Sequence, residues 1–343
     1  MNSARKGGAA GDVVEQPLGD APPGLRAASH NGTSALVSRY GVIFVLVTLV
    51  VAFCVLLPET FATVGNFQVM VNSQAVVLIL ALAASIPLRT GDFDLSIANV
   101  MTISACLLGV LTGAGVPAVL AVLLVLAMGV VAGLVNGLLV VKVGVDAFIA
   151  TLGMLTALSG AAFAITDGRR VDTYPAALSS VVNTELFGLP LLTYYAWLLV
   201  LALWFVYECT PLGRRLLFIG GSRESARLAG VSVDRVRIGA FVASATLSSV
   251  AGILLAGSLG AIDPGIGSAY LLPPFAAVFL GATTIKVGRY NAFGTVAGLY
   301  LLVVGITGLQ LFGVPAWVSD VFNGVALVLA VSLAIVAGRR DRG

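Results

Sequence analysis

Side chains able to do acid–base, nucleophilic or metal chemistry are few in these 343 residues, and they are scattered. The single histidine, His30, lies in a polar N-terminal stretch, and Cys54, Cys106 and Cys209 fall in or beside apolar segments at unrelated spacing. That pattern suggests neither a disulfide framework nor a metal site. No G-x-x-x-x-G-K-[ST] phosphate loop and no H-E-x-x-H pair occurs, and no nucleophile has a base in a supporting context. The chain therefore has no evident means of hydrolysing a nucleotide, and an enzyme is not expected. What stands out is a charged segment, GGSRESARLAGVSVDRVR, from Gly220 to Arg237. Ser222 suits an N-cap, Glu224 lies in the first turn where a negative charge favours the helix dipole, and Gly230 suits the stop. About two helical turns between them would carry Ala226, Leu228 and Ala229 as a small apolar face, with Arg223 and Arg227 sharing a side at i,i+4. Such a helix can present that face to a partner; the other reading is that its arginines hold topology or bind anionic headgroups. The remaining polar candidates, Asp94, Ser96, Asn136, Thr151 and Asn323, sit in or beside apolar stretches. They could line a weakly polar pathway or make helix-to-helix hydrogen bonds.

The elements that must position these residues are apolar. Hydrophobic residues make up 59% of the chain and charged ones 10%, with mean hydropathy +1.04, which bounds the class to a polytopic membrane protein. Forty glycines fit close helix packing in a bilayer. Met1 to Arg39 is rich in Gly, Ala, Pro, Ser and charge and reads as a disordered tail. Charge-poor runs of spanning length then recur near Tyr40–Leu57, Val69–Leu88, Leu95–Leu111, Ala118–Val141, Ala147–Ile165, Pro190–Val206, Ile238–Leu259, Leu271–Ile285, Ala292–Phe312 and Trp317–Ala337. The expectation is an all-α integral membrane fold of about ten transmembrane helices over residues 40–337, with the charged loop at 208–237 and a short tail at 338–343. The eighth run is short and opens with Pro273 and Pro274, which suggests a broken or partly re-entrant helix.

An even count puts both termini on one side. With that side cytoplasmic, all of the 19 Lys and Arg residues except Arg169 and Arg170 fall inside, as the positive-inside rule requires. A possible inverted internal repeat is carried by Asn136-Gly137 followed by Gly153, echoed by Thr307-Gly308 followed by Gly324 at the same spacing five spans later. Ion-coupled carriers usually keep ionisable groups in the membrane, and these spans contain almost none. That weighs toward a conduit whose energy arrives from elsewhere.

Gly221 to Ile238 resembles the cytoplasmic coupling loop of the ribose-type permeases of ATP-binding-cassette importers, within the branched-chain amino acid/ribose permease superfamily. There a similar Asn-Glu-Glu-Ala-Ala-Arg-Leu-Ser-Gly-Ile segment docks on the ATPase subunit. TPLGRR (Thr210 to Arg215), GDFDLSIANV (Gly91 to Val100), NGLLVVKVGVDAFIATLGML (Asn136 to Leu155) and FAAVFLGATTIKVGRYNAFGTVAG (Phe275 to Gly298) are similar to further family segments, in order along the chain. Departures exist. Asp94 keeps the aspartate of the family's Gly-Gly-Ile-Asp, but Asp92 replaces the second glycine, and Ala98 stands where a glycine is usual. Leu271, Leu272, Pro273 and Pro274 replace a common Glu-Leu-Asp run.

The resemblance implies a bacterial inner-membrane permease working as a homodimer or pseudo-dimer in the lipid bilayer, with ATP bound by a separate ATPase subunit and no cofactor or nucleic acid of its own. A periplasmic or lipid-anchored substrate-binding protein would deliver the cargo, a monosaccharide first, with polyols, nucleosides or furanose-like signals as alternatives. Ser222, Arg223, Glu224, Arg227, Leu228 and Gly230 would form the coupling element, and Asp94, Ser96, Asn136, Thr151 and Asn323 the pathway. A secondary carrier or facilitator for a small polar solute remains the competing reading, and a membrane scaffold or sensor the third.

Overall fold

A computed structural model describes residues 32–315 and 317–340. Most of the expected N-terminal tail, residues 1–31, lies outside the described residues, as do 341–343. In chain order the helices are α1 (Gly32–Leu56), α2 (Val64–Ser73), α3 (Ala75–Leu88), α4 (Ile97–Gly113), α5 (Ala118–Leu138), α6 (Ala147–Thr166), α7 (Ala176–Asn183), α8 (Leu191–Cys209), α9 (Pro211–Gly221), α10 (Arg223–Leu228), α11 (Val233–Leu259), α12 (Leu272–Gly281), α13 (Ala292–Leu311) and α14 (Trp317–Arg340). A π-turn, Leu139–Val143, extends α5, and a 3-10 turn, Ile266–Tyr270, precedes α12. Two two-residue strands, β1 (Glu185–Leu186) and β2 (Leu189–Pro190), form an antiparallel hairpin before α8. Gly32 to Arg39 belong to α1, and α14 runs to Arg340, so both helices extend past the expected span edges.

Among the described residues, six helices are long and apolar enough to cross a bilayer by themselves, and the pair α2 and α3, bent by 40° at Gln74, makes up to seven. Part of the core is built from shorter helices. All 14 residues of α3 are buried, which is why this helix is apolar on every side and needs no lipid-facing stripe. The 10-residue α12 corresponds to the short eighth run, and Pro273 and Pro274 sit in its first turn, where the missing N–H groups cost nothing. Residues 282–291 then continue without a helix, and Asn291 closes the segment by donating from Nδ2 to the carbonyls of Gly281, Thr284 and Arg289. Polar side chains and backbone groups of the protein satisfy this non-helical segment.

α4 lies against α5, α6 and α11, and α12 lies against α13, α14 and α3. Gly137 and Gly308 pack under Ile238 and Phe53, whereas Gly153 and Gly324 face open space. Basic segments gather at one end of the bundle. Arg39 bonds to the Ile285 carbonyl, Arg89 to the Tyr290 carbonyl, Lys286 to Glu208, Arg223 to Asp92, and Lys142 to Asp234. At the opposite end Thr112 meets Thr173, Val171 pairs with Ile262, and Asn183 reaches the Gly257 carbonyl.

Candidate coupling element and polar pathway

The charged segment folds as a capped helix between α9 and α11. Ser222 is extended, and its Oγ accepts the Ser225 N–H at 3.2 Å. At the other end the Val231 N–H reaches the Ala226 carbonyl at 3.0 Å and the Gly230 N–H reaches the Arg227 carbonyl at 2.9 Å. These are the paired bonds of a Schellman stop, and Gly230 supplies its left-handed residue with φ +79°. Val231 completes the motif by packing with Ala226, Ile219 and Val233. The expected single apolar face is divided, because residues two apart point to opposite sides of a helix. Ala226 is fully buried beneath α10, while Leu228 is 83% exposed on its outer side.

Arg223 and Arg227 do not face outward together; each anchors α10 to the body. Asp92, in the connection just after α3 and 2% exposed, accepts from Arg237 Nε and Nη2 at 2.8 and 2.7 Å and from Arg223 Nη2 at 2.8 Å. Thr90 Oγ1 donates a further bond to its Oδ2 at 3.0 Å. One buried carboxylate thus ties α3, α10 and α11 together, and the fork of Arg237 fixes its orientation. On the opposite side Arg227 and Lys142 both donate to Asp234, at 3.0 and 2.8 Å, linking α10 to the π-turn after α5. Lys142 and then Arg227 hold the Asp234 carboxyl below the usual carboxylate range. Both of these pairs are solvent-accessible and weak, on the order of 0–1 kcal/mol each; the buried one dominates. α9 comes close enough to the end of α3 that a Cβ on Gly220 would collide with the Arg89 carbonyl. Glu224 and Leu228 remain exposed, available to a partner.

The pathway candidates separate. Asp94, Ser96, Asn136 and Thr151 are completely buried. Asp94 Oδ1 accepts from the Ser96 N–H and Oγ at 3.2 and 2.6 Å, and Asn136 Nδ2 donates to Ser96 Oγ at 2.9 Å, joining the α3–α4 connection to α5. Thr151 bonds back to the Ala147 carbonyl at 2.7 Å. None of these four lines the cavity that Asn323 borders. That cavity, of about 480 Å³, opens between α2, α12, α13 and α14 in the half of the bundle away from α10. Asn66, Gln74, Thr307, Gln310 and Ser319 give it a polar lining, and Gln310 Nε2 donates to Ser319 Oγ at 2.9 Å. Gln74 and Gln310 were not among the residues expected to line a pathway. The readable signal was amide side chains inside apolar runs, with Thr307 and Gln310 three apart on one helical face.

A bundle of apolar, membrane-spanning-capable helices with a polar cavity in one half and a well-anchored surface helix at the other end fits a membrane permease. The chain belongs to the family described as branched-chain amino acid transport system / permease component, which matches residues 66–331. It is 30% identical to the ribose import permease protein RbsC of Escherichia coli strain K12, over 83% of this chain and 91% of that protein. It is 28% identical to the autoinducer 2 import system permease protein LsrC of Yersinia pseudotuberculosis strain IP 31758, over 85% and 83% of the two chains. To the autoinducer 2 import system permease protein LsrD of Photorhabdus luminescens it is 29% identical, over 85% and 91%. No solved structure matches it.

Proposed function

We propose that this chain is the membrane-spanning permease subunit of an ATP-binding-cassette importer for a monosaccharide or a similarly small, furanose-like solute. The observation that carries the reading is the family match over residues 66–331 together with relatives named as ribose and autoinducer 2 import permeases. Residues 40–337 form the permease domain and cross the bacterial inner membrane ten times, with both termini and α10 in the cytoplasm. Gathering of the basic segments at the α10 end supports that orientation, since Lys and Arg in short loops stay inside. The spacing of Gly137 and Gly153, echoed by Gly308 and Gly324, supports an inverted repeat. Two copies, or this chain and a paralogue, enclose the pathway. A binding protein delivers cargo from outside, and the ATP is bound and hydrolysed by a partner subunit.

The physical logic is a lever. Closing of the ATPase subunits pushes on Leu228, Glu224 and their neighbours, and the capped turns of α10 pass that displacement through Arg223 and Asp92 to α3 and α11. α3 lies in the centre of the bundle and is continuous through Gln74 with the wall of the 480 Å³ cavity. A push at α10 therefore has a short packed route to the polar chamber. Proteoliposomes holding this chain, its ATPase and its binding protein should accumulate labelled ribose or an analogue only with internal ATP. Uptake by this chain alone, driven by an ion gradient and indifferent to ATP, would instead establish the secondary-carrier reading.

A further inference from the structure

A second pocket lies at the α10 end of the bundle, between the ends of α3 and α8, the start of α9 and the segment joining α12 to α13. It encloses about 110 Å³ and is lined by four cations, Arg89, Arg214, Lys286 and Arg289, against one carboxylate, Glu208. Lys286 pairs with Glu208, which leaves three arginines with no carboxylate partner among the described residues. Arg89 forms the floor and is only 6% exposed. Its Nη1 donates to the Tyr290 carbonyl at 2.6 Å, and its guanidinium lies 4.0 Å from the centroid of the Tyr207 ring. Its Nε has no partner. A buried, incompletely bonded cation is costly unless an anion completes it. The volume is well above the roughly 10–15 Å³ that one water needs and is enough for a phosphate group.

We propose that this pocket binds the phosphate of an anionic glycerophospholipid, seated on Arg89 and clasped by Arg214 and Arg289. The lipid source is favoured by what leads to the pocket. Leu198, Leu201, Trp204 and Phe205 are exposed along α8 and lie on the stripe that ends at Glu208, on the pocket wall. They form an apolar track for acyl chains running up to a basic headgroup site. α9 adds Leu212 and Phe218, both exposed apolar residues beside the basic rim. The bound headgroup would brace α9, which leads directly into α10, so the site rests on the membrane orientation given above and extends it to the lipid.

Native mass spectrometry of the full transporter in nanodiscs of mixed phosphatidylglycerol and phosphatidylethanolamine reads the site directly. The wild type should retain phosphatidylglycerol in preference to phosphatidylethanolamine, and R214Q/R289Q should lose that preference by about 30-fold. Equal retention of the two lipids by the wild type, or unchanged preference in the double variant, would overturn the proposal. In lipid-depleted detergent, phosphatidylglycerol should raise the melting temperature of the wild type more than that of the variant. Inorganic phosphate reproducing the whole shift would overturn the lipid as the source. ATP-driven uptake by the same wild-type preparation separates a failed lipid site from a failed importer reading.

Discussion

Asp92 is the residue on which the anchoring of α10 turns, through its ion pair with Arg223 at 2.8 Å and with Arg237 at 2.7 Å. Removing one partner of a buried pair leaves the other uncompensated, so Asp92→Ala should cost about 3–5 kcal/mol through the stranded Arg237. Combining it with Arg237→Met should recover most of that loss, because an apolar replacement needs no counter-charge; thermal unfolding of the three variants in one detergent checks it, and additive losses would contradict it. Arg223, at the accessible end of the carboxylate, should cost far less stability when replaced by alanine while still loosening α10. Gly230→Val places a β-branched residue at φ +79°, for about 1–3 kcal/mol of local strain. That variant should insert normally in the membrane yet lose transport and stimulation of the ATPase, whereas normal uptake would remove Gly230 from the coupling element.

At the scale of elements, the outer anchor of α10 behaves differently from the buried one. Asp234 has a lowered pKa, so its stabilising pairs with Lys142 and Arg227 are complete above the ordinary carboxylate range and are lost only as pH falls through the still lower folded value. Transport should therefore be insensitive to this group between about pH 6 and 8, while salt, which screens exposed pairs, should weaken the anchor. A loss of coupling near pH 6 that Asp234→Asn abolishes would contradict this. Helix positions and the α10 caps were legible in the sequence, because apolar run length, Ser222 and Gly230 are local signals. The bend between α2 and α3 was not, since the apolar window runs straight through Gln74. α9 was not legible either, because an amphipathic helix does not raise mean hydropathy. The inward turn of Arg223 was hidden for a third reason: its partner lies 131 positions away. Nor can a sequence say which way a polar side chain in an apolar helix points, which is why Asn136 proves to be a tie between elements and Asn323 a cavity wall.

Taken as a whole molecule, the chain is a bundle with a polar chamber in one half, the anchored α10 at the opposite end and the fully buried α3 between them. On the proposed function, the work of an ATPase enters through α10. Simultaneous measurement of ATP hydrolysis and labelled-solute uptake in proteoliposomes, with Leu228→Asp beside the wild type, tests this most directly. Leu228 is almost fully exposed, so the substitution should leave folding and membrane insertion unchanged. The account predicts that the variant abolishes uptake together with transport-stimulated hydrolysis. Wild-type uptake at the wild-type ratio of solute to ATP would contradict it.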